Sequence, residues 1–144
     1  MKCTTVIDKN RDEEVMIYAH GRTEQIAELE RIARGETAEL YGTLGSETVR
    51  IEPSKAVFFT VEDGRVSAVV GNKHYRLRER IYELEKILPR DFVKINQSCI
   101  ANIKMIARFE ATIGGALRVV FKNGESDFVS RRQLKHVKER IFIK

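Results

Sequence analysis

With 144 residues, 42% of them hydrophobic, the chain carries enough apolar mass for one ordinary domain, or for a domain with a small N-terminal addition. Its two cysteines, Cys3 and Cys99, exclude a disulfide framework or a Cys-rich zinc site within one chain and suit a reducing cytoplasm. No apolar run approaches the roughly 20 residues of a membrane span, and the N-terminus lacks the apolar core of a signal peptide. The formal net charge of +5 is unevenly spread. Residues 1–45 hold 6 basic and 9 acidic side chains and residues 46–144 hold 20 and 12, so the part suited to a polyanion is C-terminal.

In chain order, Met1–Ile7 and Val15–Ala19 read as short strands, rich in residues that suit a pleated surface. Thr23 then predicts a helix N-cap. Ile26, Leu29, Ile32 and Ala33 recur at helical spacing, and Gly35 supplies the stop of an amphipathic helix over Thr23–Arg34. From Thr37 to Leu77 short strands alternate with turns: Ala38–Gly42, Thr48–Ile51, Ala56–Val61, Arg65–Val70 and His74–Leu77. Asp63-Gly64 and Gly71-Asn72 are hairpin signals, which makes residues 56–77 a meander. Arg78–Leu88 reads as a helix closed by Pro89.

The stretch Phe92–Ile106 places polar groups between apolar runs. Val93 and Ile95 alternate with Lys94 and Asn96 as in a half-buried strand, and the cluster Lys94, Asn96, Gln97, Ser98 falls at a bend between two buried segments. Met105–Phe109 and Leu117–Phe121 follow as strands, with Lys122-Asn123-Gly124-Glu125 as a hairpin turn. Ser130 precedes a last helix, Arg131–Ile141. On that helix Leu134, Val137 and Ile141 share one side, while Arg131, Arg132, Lys135 and Lys138 form a cationic neighbour.

Catalytic chemistry finds little support. His20, His74 and His136 are isolated, and no Cys/His/Asp grouping has metal-ligand spacing. Gly114-Gly115 lacks the flanking Gly and Lys of a phosphate loop, and Asp12-Glu13-Glu14 reads as a solvated turn. The expectation is no enzyme, no metal, no cofactor and no small-molecule substrate. Arg, Lys, Asn and Gln, by contrast, are the side chains that neutralise phosphates and contact base edges, and the chain gathers them at turns and helix starts. Plainer readings stand beside these. The basic helix face suits a solvated surface, Asn102 suits a cap, and Cys99 suits buried packing more than a redox switch.

Four segments carry a family likeness: Lys55-Ala-Val-Phe-Phe, Tyr75-Arg-Leu with Leu84-Glu and Leu88-Pro, Phe92-Val-Lys-Ile-Asn-Gln-Ser-Cys-Ile-Ala-Asn102, and Phe121-Lys-Asn-Gly with Val129-Ser-Arg-Arg-Gln-Leu-Lys135. Through them, from about Lys55 to Ile143, the chain resembles the LytTR family of bacterial DNA-binding domains. The resemblance implies a mostly β fold (α+β overall), with stacked small sheets and short helices behind an N-terminal strand-strand-helix layer. Residues 46–144 would be the DNA-binding domain and residues 1–45 a dimerisation or regulatory segment, with packing onto the β body as the alternative.

By position in the motifs, the resemblance implies Gln97 and Arg132 as base readers and Arg65 as a third. Lys94, Asn96, Ser98, Lys104, Arg131 and Lys135 would be phosphate-positioning residues. The family more often has a basic or histidine residue where Asn96 and Gln97 stand. The segment before the domain is too short for a phosphorylatable receiver, so the chain is similar to the short, receiver-less members. It would then be a cytoplasmic bacterial transcription regulator that reads direct repeats of double-stranded DNA in successive major grooves. It would act as a homodimer or as paired monomers, with a small membrane protein as its regulator in some relatives. The rival reading is a β-rich interaction module whose basic face meets an acidic protein.

Overall fold

The computed structural model describes residues 1–35 and 39–142, and its backbone divides into two units, residues 1–37 and 38–144. In the first unit, helix α1 (Glu24–Ala33) starts where expected: the Thr23 hydroxyl accepts the Ile26 N–H at 3.2 Å, and Gly35 ends the helix at φ 71°. Ile26 is buried, and Glu30 pairs with Arg22 at 2.9 Å and Arg34 at 3.4 Å. The strands expected at Met1–Ile7 and Val15–Ala19 do not form. Neither segment has a ladder partner, and of their side chains only that of Ile17 is not exposed. β-propensity without a partner or a surface to bury leaves the backbone groups unpaired by a sheet.

Among the described residues of the second unit, ten strands form: β1 (Leu40–Leu44), β2 (Glu47–Ile51), β3 (Phe58–Glu62), β4 (Arg65–Val70), β5 (Lys73–Arg76), β6 (Phe92–Asn96), β7 (Cys99–Asn102), β8 (Ile106–Ala111), β9 (Leu117–Phe121) and β10 (Ser126–Val129). Helix α2 (Ile81–Ile87) lies between β5 and β6, and α3 (Arg131–Ile141) follows β10. Ala38, the start expected for the first of these strands, lies outside the described residues. The strands make two antiparallel sheets, one of seven in the order β2-β1-β5-β4-β3-β7-β6 and one of three in the order β10-β9-β8. The mostly β architecture agrees with the expectation. One sheet is large because the β1–β2 and β6–β7 hairpins extend the β3–β4–β5 meander on both sides.

The pleat distributes two cores over the two faces of the large sheet. Phe59, Val66, Ala68 and Ile100 point to the face packed with Leu77, Ile81 and Leu84 at α2. Phe58, Val69, Cys99 and Ala101 point to the other, packed with Val119, Phe121 and Val137 from the small sheet and α3. Burial on both faces explains the unbroken apolar run Val57-Phe58-Phe59. The turns follow their chemistry: Asp63 and Gly64 both take positive φ (50° and 76°), so Glu62 and Arg65 pair across a two-residue hairpin. Gly42 serves a close approach instead, since a Cβ there would stand 2.5 Å from Tyr75 Cβ.

Helix α2 starts three residues later than the expected Arg78. The Leu77 N–H is drawn to the Val66 carbonyl at 2.8 Å, and Arg80 is extended (φ −96°, ψ 162°). Arg78, Glu79 and Arg80 thereby become a loop.

A polar clasp joins the two sheets. His74 on β5 meets Glu62 through Nδ1 at 2.5 Å and both oxygens of Glu125, in the β9–β10 turn, through Nε2 at 3.0 and 3.1 Å. Asn123 Nδ2 donates to the Gly71 carbonyl at 2.7 Å and to Glu125 at 2.9 Å. Burial alone would lower the His74 pKa, but the hydrogen bonds to Glu62 and Glu125 and their negative charges outweigh it and raise the pKa above 6.5. A raised folded-state pKa contributes stability that is fully present below pH 6.5 and is lost as pH rises through the folded value. The advantage of the wild-type chain over His74→Gln in urea unfolding should therefore shrink as pH rises through that window. A pH-independent difference would contradict the clasp's charge.

Candidate nucleic-acid interface

The β6–β7 hairpin turns on two residues, Gln97 and Ser98, because Asn96 pairs with Cys99. Asn96 builds the turn: its Oδ1 accepts the Ser98 N–H at 2.8 Å, an Asx-type bond. The same side chain donates from Nδ2 to the Phe128 carbonyl at 2.8 Å and to Asp127 Oδ1 at 3.2 Å. One asparagine thus shapes the turn and ties it to β10. Gln97 and Ser98 stand exposed at its apex.

Two further backbone bonds fasten neighbours to this hairpin. The Val61 N–H donates to the Ser98 carbonyl at 2.9 Å, which brings up the end of β3 and with it the exposed Arg65 turn. The Ser130 N–H donates to the Ile95 carbonyl at 2.8 Å, which brings up the start of α3. There the Ser130 hydroxyl caps the helix by accepting the Gln133 N–H at 3.3 Å. Arg131, Arg132 and Lys135 follow exposed, with no acidic residue in the first turn. Cationic side chains at this end oppose the helix dipole, so helix electrostatics does not account for Arg131 and Arg132.

The sequence-derived residues separate by environment. Arg65, Lys94 and Gln97 line one surface concavity of about 900 Å³. Lys94 is half-buried and lies 3.7 Å from Glu85. Arg131, Arg132 and Lys135 lie outside the concavity's lining, on α3. Lys104 is exposed and pairs with Asp91 at 3.4 Å. The amide of Asn96 is engaged inside the fold as described.

Asn102 is a cap, as its plainer reading had it. It is buried, accepts the Lys104 N–H at 3.1 Å, and donates to the Ala56 carbonyl at 2.8 Å. Cys99 is fully buried, and burial first, then the charge and hydrogen bond of Asp127, push its thiol pKa well up. An enclosed, protonated thiol is packing material rather than a nucleophile.

Sequence reasoning passed over Arg76, Arg78 and Arg80, which line the same concavity. Their signal was an alternation of basic residues at 76, 78 and 80, masked by assigning Arg78 onward to a helix.

Residues 46–142 match the family model described as the LytTr DNA-binding domain. A Staphylococcus aureus protein (strain NCTC 8325 / PS 47) named an uncharacterized HTH-type transcriptional regulator is 36% identical over 104 residues, 72% of this chain and 71% of the relative. A protein of the same description from strain COL matches equally. A solved LytTr DNA-binding domain from Bacillus cereus superposes with a TM-score of 0.68 at 17% identity, covering 73% of this chain and 97% of that one. Among the described residues of this chain, strands separate α1, α2 and α3, so no two α-helices are consecutive as a helix-turn-helix requires.

Proposed function

This chain belongs to the LytTR family of DNA-binding domains, and from that premise we propose that it is a bacterial transcriptional regulator that reads direct-repeat sites on double-stranded DNA through its loops. The observation that carries this reading is the fastening of the Arg65 turn and the start of α3 to the Gln97 turn by the hydrogen bonds of Val61, Asn96 and Ser130. Side chains able to fork onto base edges are thereby held on a rigid frame rather than on independent loops. Gln97, Arg132 and Arg65 act as base readers. Lys94, Ser98, Lys104, Arg131 and Lys135 act on phosphates, while Asn96 contributes by holding the turn.

The division of the chain into an N-terminal regulatory or dimerising segment and a DNA-binding body belongs to the same proposal. So do action as a homodimer in the cytoplasm and control by a small membrane protein. Support for a role in association is the apolar surface left on the first unit: Val6, Ile7, Val15, Met16, Tyr18 and Ile32 are exposed. Among the described residues, no helix is long and apolar enough to cross a membrane.

Titration with duplex from the chain's own promoter region and with a scrambled duplex tests the reading. The specific complex should be at least ~10³ tighter. Equal affinities would leave only a basic surface. In the same assay Lys135→Ala should weaken both complexes alike and lower the salt slope by about one unit.

A further inference from the structure

The end of β5 and the loop from it into α2 expose Arg76, Arg78 and Arg80 at alternate positions, while Leu77 and Ile81 on the opposite phase are buried. All three arginines line the concavity that Arg65, Lys94 and Gln97 share. Elsewhere, Arg11, Arg22, Arg34, Arg50, Arg108 and Arg118 each lie within 4.0 Å of a carboxylate, whereas among the described residues Arg31, Arg90, Arg131, Arg132 and Arg140 do not. Arg65, Arg76, Arg78 and Arg80 have no such partner among the described residues, and Glu79 is the one carboxylate of the lining. Like charges gathered around a single carboxylate repel one another, and an anion relieves that repulsion.

Arg80 supplies an independent observation. It occupies the N-cap of α2, a position that favours Ser, Thr, Asp or Asn and disfavours a cation. A guanidinium has no acceptor to offer the helix. The capping falls to Glu83, whose Oε1 takes the Arg80 N–H at 3.2 Å. Local structure therefore gives no reason for an arginine at this position.

We propose that Arg76, Arg78 and Arg80 form a clamp for DNA phosphates that seats one strand in the concavity beside Gln97 and the base-reading Arg65. The guanidinium fork matches phosphate oxygens in a bidentate geometry, which a lysine cannot reproduce. This inference rests on the reading of the chain as a DNA-binding regulator. To that reading it adds a contact element, the β5–α2 loop, with phosphate rather than base as its target.

The test is the salt dependence of duplex binding by the full chain, with promoter and scrambled duplexes. The Arg76→Ala/Arg78→Ala/Arg80→Ala variant should lower the slope of log affinity against log salt by about two to three units. It should weaken both duplexes by the same factor and keep their ratio. Arg80→Ser separates binding from folding, because serine caps α2 better: its Tm should rise while the salt slope falls by about one unit. A merely structural arginine would not move the two readouts in opposite senses. A triple variant with wild-type slope and affinity overturns the clamp and leaves the DNA reading intact. A loss confined to the promoter duplex makes these residues base readers and overturns the phosphate assignment. A wild-type chain that binds no duplex overturns both readings.

Discussion

Removing β1 should cost the body most of its stability, although the family match begins only at Ser46. Three observations make this the largest expected effect on folding. Leu40 is fully buried in the core beside α2. Five residue pairs, from Leu40 with Ile51 to Leu44 with Glu47, make β1 the one sheet neighbour of β2 among the described residues. The Thr43–Arg76 pair ties the hairpin to β5. A chain that starts at Ser46 therefore loses Leu40 and also detaches β2, with its buried Ile51, from the sheet.

Emptying the place of one buried Leu or Ile costs about 2–5 kcal/mol, and the two losses share one core, so a combined cost of at least about 4 kcal/mol is expected. That is a large part of the 5–15 kcal/mol typical of a domain. Urea unfolding of residues 39–144 and 46–144 measures it. The longer form should keep the midpoint of the body in the full chain, and the shorter should unfold at much lower urea or arrive unfolded. Equal midpoints would mean that β1 and β2 are accessory to the core.

The second large effect concerns reading. Gln97→Ala and Arg132→Ala should each reduce the preference for the promoter duplex over a scrambled one, by the roughly 1–3 kcal/mol that a bidentate base contact discriminates. About five- to 150-fold per residue is the expected loss, and the double variant should approach nonspecific binding. The affinity for scrambled duplex should change little for Gln97→Ala, which removes no charge, and fall modestly for Arg132→Ala, which removes one. A double variant that keeps full discrimination would show that neither side chain reads bases. Because both residues are exposed, neither change should disturb folding.

What could be read in the sequence was what short-range chemistry controls. Thr23 and Gly35 bound a helix, Asp63-Gly64 makes a turn, Ser130 caps α3, and Asn102 caps the residues that follow it, each through groups a few positions away. Contacts across long separations were out of reach. The structural role of Asn96 depends on the Phe128 carbonyl, 32 residues on, and the late start of α2 on Leu77 meeting Val66. The second of these hid Arg78 and Arg80 within an apolar pattern that suited a longer helix. The missing N-terminal strands are the converse case. Their composition is right for a sheet, but a strand exists only with a neighbour, and nothing in residues 1–20 supplies one.

Phe58 and Phe59 are adjacent in the chain and belong to different cores. The two hydrophobic layers are thus built on the same peptide units, and neither can loosen without dragging the ladder that supports the other. Residues 39–142 should accordingly melt as one cooperative transition, with no state in which the small sheet and α3 have come away while the α2 side persists. For the proposed reading, in which separate loops meet one ligand, all-or-none cooperativity has a direct use: whenever the body is folded at all, every loop is in its place.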